Sequence, residues 1–151
     1  MSSDAAGRQL VRETYHAALQ HDLITLEGDE RLVGVVRRPT RWFGGAVDEN
    51  RSALGPPPAL LDEFKDRHES LKARGLCDEG AHNAAWEEID YERRYRDHLE
   101  TDAAAQTALE ELVEVVASGQ PIVLVCYESD DKACHRHVVK DVIENRLEAN
   151  A

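Results

Sequence analysis

The run Ile122-Val123-Leu124-Val125-Cys126-Tyr127, entered through Gly119 and Pro121, constrains the fold most strongly. Consecutive apolar residues without polar alternation describe a strand covered on both faces, the habit of a parallel sheet lying between helices. Leu32-Val33-Gly34-Val35-Val36, ending at Arg37-Arg38-Pro39, has the same character. Both segments are predicted central strands. The stretch from Val11 to Leu26 is ambiguous: Val11, Tyr15, Leu19 and Leu26 suit a helix stripe, while Thr14-Tyr15 and Ile24-Thr25-Leu26 look extended.

Helical periodicity fills most of the remainder. Leu60, Leu61, Phe64, His68 and Leu71 recur at helical spacing after Pro57 or Pro58 and stop at Gly75, following an irregular loop from Gly44 to Pro58. Tyr91, Tyr95 and Leu99 repeat at four with Trp86 and Ile89 beside them, predicting one helix from Ala84 to Leu99. Asp102 caps a helix whose stripe is Ala105, Ala108, Leu109, Leu112, Val113 and Val116. A last helix carries Val138, Val139, Val142, Ile143 and Leu147; it starts near Cys134, with Asp130 or Asp131 as its cap. Strands alternating with helices predict an α/β fold: a single compact domain over residues 1–151, with frayed termini and a mainly parallel central sheet flanked by helices.

At 151 residues the chain allows one core and hardly two. No apolar run approaches the roughly 20 residues of a membrane helix, and Met1 to Leu10 is too polar for a secretory signal. The net charge is −12, and only four of the eighteen basic residues are lysines. Such a surface suits a high-salt cytoplasm, where screening relieves self-repulsion. Three cysteines, Cys77, Cys126 and Cys134, fit a reduced cytoplasmic protein better than a secreted disulfide scaffold.

Two basic islands interrupt the acidic background. Arg31, Arg37, Arg38 and Arg41 stand together without an acid, and Lys132, Arg136 and Lys140 flank His135 and His137. Both islands follow predicted parallel strands, so both loops should reach the edge where α/β proteins bind ligands. In the second, Cys134 at a helix start beside Arg136 is a candidate acidic thiol, although it also suits a small packing role. Cys126 belongs to the buried run. Glu128 suits a general base or a carboxylate that orients its neighbours, and His135 suits acid–base work. The fork of Arg136 suits a phosphate or carboxylate at the helix N-terminus, or a structural pairing with an acid. In the first island, Arg37 and Arg38 are candidate anion ligands, while Trp42 or Phe43 suits an apolar wall, a base-stacking face or a seal on the sheet edge.

Several chemistries are disfavoured. The chain has no Gly-rich phosphate loop, no dinucleotide fingerprint and no nucleophile elbow. A tyrosine-phosphatase-like loop fails because lysines, Lys132 and Lys140, stand six positions after Cys126 and Cys134. A metal site on Cys126, Cys134, His135 and His137 lacks zinc-finger spacing, so neither metal nor organic cofactor is expected.

The Val35-Val36-Arg37-Arg38-Pro39 strand exit, the Tyr91-x-x-Arg94-Tyr95-x-x-x-Leu99 helix and the Leu124-Val125-Cys126-Tyr127-Glu128…Cys134-His135-Arg136 segment together resemble the DUF488 family of small α/β proteins. The acidic, lysine-poor form resembles a haloarchaeal member. The resemblance covers most of residues 10 to 147. It implies a compact α/β domain whose strand-end arginine and Cys-x-Glu…Cys-His-Arg stretch face a common cleft. Val35-Val36-Arg37 departs from the family's commoner Asp-Val-Arg exit, which counts against a role for an acid before the arginine. The resemblance implies no established reaction.

The expected function is an anion-binding cleft at the strand ends, acting on a phosphorylated small molecule or nucleotide through Glu128, Cys134 and His135. The alternative is a non-catalytic module that binds nucleic acid through Arg37, Arg38, Arg41 and Trp42, or a protein partner through an exposed Tyr95 or Trp86 surface. The net charge disfavours the nucleic-acid reading. Oligomeric state is left open.

Overall fold

The computed structural model describes residues 9–128 and 132–150. Four strands, β1 (Val11–Tyr15), β2 (Arg31–Gly34), β3 (Glu49–Asn50) and β4 (Ile122–Cys126), form one sheet in the order β1-β4-β2-β3. Every pairing is parallel: Val11 registers with Ile122, Arg31 with Ile122 and Val33 with Glu49. The apolar run is therefore central, and all five residues of β4 are buried. Val35 continues β2 by donating its N–H to the Val125 carbonyl.

Among the described residues the helices are α1 (His16–Gln20), α2 (Arg41–Ala46), α3 (Pro58–Ala73), α4 (Asp78–Glu88), α5 (Tyr91–Thr101), α6 (Ala103–Ala117) and α7 (His135–Ala149). A 3₁₀ turn spans Ser52–Leu54. Alternate side chains of β4 enter different cores, as the period of a strand requires. Ile122 and Leu124 join the large core with Leu60, Tyr95, Leu99, Leu109, Leu112, Val139 and Ile143 from the long helices. Val123 and Val125 join a smaller one with Phe43, Val36 and Cys134, and Cys126 at the strand end departs from the alternation to join it as well. No described helix is long and apolar enough to cross a membrane.

The fold is α/β as expected, and α6 buries all six residues of its predicted stripe with Asp102 accepting from the Ala105 N–H. Three local expectations change. The ambiguous segment is a strand followed by a single helical turn, and neither Leu23 nor Leu26 is buried. The loop from Gly44 to Pro58 contains β3, whose polar residues Glu49 and Asn50 carry no apolar signal because it pairs only at the sheet edge. The helix expected from Ala84 to Leu99 is two helices. Asp90 stands between them at φ +57°, a left-handed conformation that Asp tolerates better than most residues. The break stacks Trp86 on Tyr91 with ring centroids 4.0 Å apart. One continuous helix would point these residues to different faces.

α7 starts at His135, with Cys134 itself in the capping position and no side-chain cap. The expected caps Asp130 and Asp131, like the expected fraying of residues 1–8 and 151, lie outside the described residues. Tyr95 is fully buried, so it offers no partner surface.

Candidate functional site

Parallel pairing delivers the ends of β1, β2 and β4 to one edge, and a cavity of about 210 Å³ opens there. Val36, Arg37 and Arg38 reach it from β2, and Cys126, Tyr127 and Glu128 from β4. The start of α7 adds Cys134 and His135. Phe64, His82, Trp86 and Tyr91 supply a mostly aromatic wall. Glu128, Cys134, His135, Arg37 and Arg38 are thus brought together, whereas Arg136 and Trp42 do not line the cavity.

Cys134 is 2% exposed and has its sulfur 3.7 Å from Nδ1 of His135. The other ring nitrogen, Nε2, is hydrogen-bonded to the Val35 carbonyl. A carbonyl oxygen only accepts, so Nε2 carries the hydrogen and the Nδ1 lone pair of the neutral ring faces the thiol. Tyr95 meets the imidazole edge-on at 5.6 Å and holds its plane. Burial pushes the His135 pKa below the ordinary imidazole value and keeps the ring neutral.

Burial pushes the Cys134 thiol up. The Cys126 thiol hydrogen-bonded to its sulfur, the Arg136 charge and the Arg136 backbone N–H outweigh that effect, leaving it below the ordinary thiol value. Cys126 moves the opposite way, raised by burial and by its neighbouring sulfur. The two thiols are therefore shifted in opposite directions, Cys134 toward the thiolate and Cys126 away from it.

Arg136 places a positive charge beside both thiols and lowers each. Its side chain is 0% exposed, with Nε 3.2 Å from a Glu13 oxygen and Nη1 2.9 Å from the Cys126 sulfur. Nη1 also donates to the Glu128 carbonyl. Its fork is thus engaged beneath the site, and its charge acts on the thiols from behind. The Arg136 backbone N–H, in the first turn of α7, likewise favours the Cys134 thiolate.

Arg37 occupies the rim. Its Nε and Nη2 donate to the carbonyls of Pro56 and Gly55 at 3.1 and 2.8 Å, and Nη2 lies 3.4 Å from His98. None of these partners is an acid. A Cβ at Gly55 would run into the Arg37 backbone, so this approach requires glycine. Arg38 is exposed and makes a loose ion pair with Asp62 at 3.4 Å. Phe43 is fully buried and seals the smaller core, while Trp42 is 77% exposed outside the cavity.

Glu128 directs its carboxylate 3.6 Å from Lys132 and 4.0 Å from Nδ1 of His82. His82, 4% exposed, was not marked by any motif. Its Nε2 donates to the Ala133 carbonyl at 2.7 Å, while Asn83 accepts the Ala133 N–H at 2.9 Å. α4 thereby grips both sides of the residue preceding Cys134. The faint signal for this role is an Ala-His-Asn sequence within an otherwise small-residue helix face. Among the described residues no three His, Cys, Asp or Glu side chains converge as a metal site.

No curated protein and no solved structure matches the chain. A family model described as the Active DUF488-N3 subclade matches residues 17–147, a span that includes both strand exits, the gripping helix and the Cys134-His135-Arg136 turn. With its parallel sheet and strand-end cavity built from those same segments, the chain belongs to the DUF488 family, in its Active DUF488-N3 subclade.

Proposed function

We propose that the cavity is the active site of a cysteine-dependent enzyme acting on a small anionic molecule, a phosphorylated metabolite or nucleotide. The observation that carries this reading is the Cys134–His135 pair, in which the Val35 carbonyl orients the imidazole so that Nδ1 faces the sulfur at 3.7 Å. A nucleophile, a base and a group that orients the base are the parts that covalent catalysis needs. His135 takes the thiol proton as Cys134 attacks the substrate's electrophilic centre, then returns it to the departing group; water releases the product from sulfur. Arg136 supports the thiolate, while Arg37 and Arg38 meet the substrate's anionic group at the rim. The aromatic wall of Phe64, Trp86 and Tyr91 accommodates a planar ring. Glu128 with His82 provides a second proton-exchanging pair beside the cavity.

The acidic, lysine-poor surface suits a reduced, high-salt cytoplasm. Exposed Trp42 beside Arg41 favours a second reading, contact with single-stranded nucleic acid. Salt-sensitive oligonucleotide binding lost on neutralising Arg38 and Arg41 would support it.

A panel of nucleoside monophosphates and sugar phosphates tests the main reading. Ligands of this class should protect Cys134 from iodoacetamide and raise the Tm, and Arg37→Ala should remove both effects. Turnover should vanish in Cys134→Ser. If none of the panel protects Cys134 or is turned over, the reading fails.

A further inference from the structure

Catalysis by Cys134 does not require a second thiol, yet one is held against it. Cys126 ends β4, Cys134 caps α7, and the two cysteines are packed together in the smaller buried core. Both line the same cavity, which is large enough for a water-sized oxidant to enter. Cys77, the remaining cysteine, is exposed at the N-cap of α4 and accepts from the Gly80 N–H instead.

We propose that Cys126 and Cys134 form an oxidisable pair that reacts with hydroperoxides and closes to an intramolecular disulfide across the β4 exit. The Cys134 thiolate attacks one peroxide oxygen, the O–O bond breaks, and the products are Cys134 sulfenic acid and an alcohol or water that takes up a proton. Cys126 then attacks the sulfenic sulfur. Its thiol proton leaves with the hydroxyl as water, forming the S–S bond, so one hydroperoxide is reduced as two thiols are oxidised. Arg136 Nη1, 2.9 Å from the Cys126 sulfur, stabilises the charge that develops there during the second step. The Nδ1 of His135, 3.7 Å from the Cys134 sulfur, takes the thiol proton there and makes Cys134 the first to react.

The chemistry shares the Cys134 thiolate with the proposed function but requires no phosphorylated substrate. Closing the disulfide removes the nucleophile, and a dithiol restores it by exchange. Oxidation therefore switches the site off reversibly.

The test uses the full chain carrying Cys77→Ser, since serine serves the same N-cap role. After stoichiometric hydrogen peroxide, peptide mapping without reductant should join Cys126 to Cys134 within one chain, and dithiothreitol should release them. In the added presence of Cys126→Ser, Cys134 should instead accumulate as a dimedone-reactive sulfenic acid. Cys134→Ser should leave Cys126 unoxidised. The inference is overturned if the Cys77→Ser protein keeps both thiols, links them only between chains, or traps as much sulfenic acid as the protein lacking Cys126. Disulfide closure without substrate turnover would remove the proposed function alone; substrate protection of Cys134 without disulfide closure would remove this inference alone.

Discussion

Arg37 and Arg136 both follow central parallel strands, yet the fold uses them in opposite ways. Arg37 lies at the rim, bound to the Gly55 and Pro56 carbonyls and an imidazole, and its charge faces the cavity. Arg136 lies beneath the site, paired with Glu13, Cys126 and the Glu128 carbonyl, and its charge sets the thiols. The difference is one of depth. A guanidinium at a strand exit is open to a ligand where solvent reaches it, and acts on neighbouring ionisable groups where a carboxylate and a carbonyl have already claimed its fork.

The largest effect is expected at the buried arginine. Arg136→Met removes the buried charge paired with the Glu13 carboxylate and the donor to the Glu128 carbonyl, and unfolding in urea should show a loss of about 3–5 kcal/mol. Arg136→Lys should not restore it, because a lysine cannot reach these divergent partners with one ammonium group. Iodoacetamide labelling of Cys134 should also shift to higher pH in both variants. A parent-like stability in Arg136→Met would sink the division of roles.

At the rim, Gly55→Ala sharpens the contrast by pushing on the Arg37 backbone. Overpacking of this kind costs about 1–3 kcal/mol, read from the urea midpoint, and should weaken ligand protection of Cys134 without changing its labelling pH in the free protein. An equal change in both readouts would show that rim and floor are not separable.

Acid titration probes the floor more gently. Burial raises the Glu13 carboxyl pKa, but the His137 hydrogen bond and the charges of His137, Arg136 and Lys140 outweigh this and hold it below the ordinary value. A depressed carboxyl contributes its stability fully above the unfolded value, about 4.3, and loses it as pH falls through the folded value. The urea midpoint of the parent should fall over this acidic window more steeply than that of Glu13→Gln. Identical slopes would exclude Glu13 as a contributor.

The smallest expected change is at Arg38. Its pair with Asp62 is open to solvent on both sides. Arg38→Ala should cost less than about 1 kcal/mol while reducing ligand protection of Cys134. A larger loss of stability would mean that the rim is structural.

Legibility in the sequence followed how local each signal was. α6 was readable to its cap, because its stripe and Asp102 lie within consecutive turns. Cys134 and His135 were readable as site residues because a strong strand and a helix start bracket them. The break at Asp90 was not, since apolar periodicity runs through it and only a left-handed residue reveals it. His82 was missed for a different reason: its partner, the Ala133 carbonyl, lies in another loop far along the chain.

By itself the sequence determined the α/β class, the central place of the 122–126 run and the edge at which the cavity opens. Those follow from hydrophobic period and from the rule that parallel strands end together. Tertiary structure decided what each polar side chain does there. Depth, tautomer and the pairing of Arg136 depend on groups brought close by folding, and the energy of a charge depends on what surrounds it more than on which residues precede it.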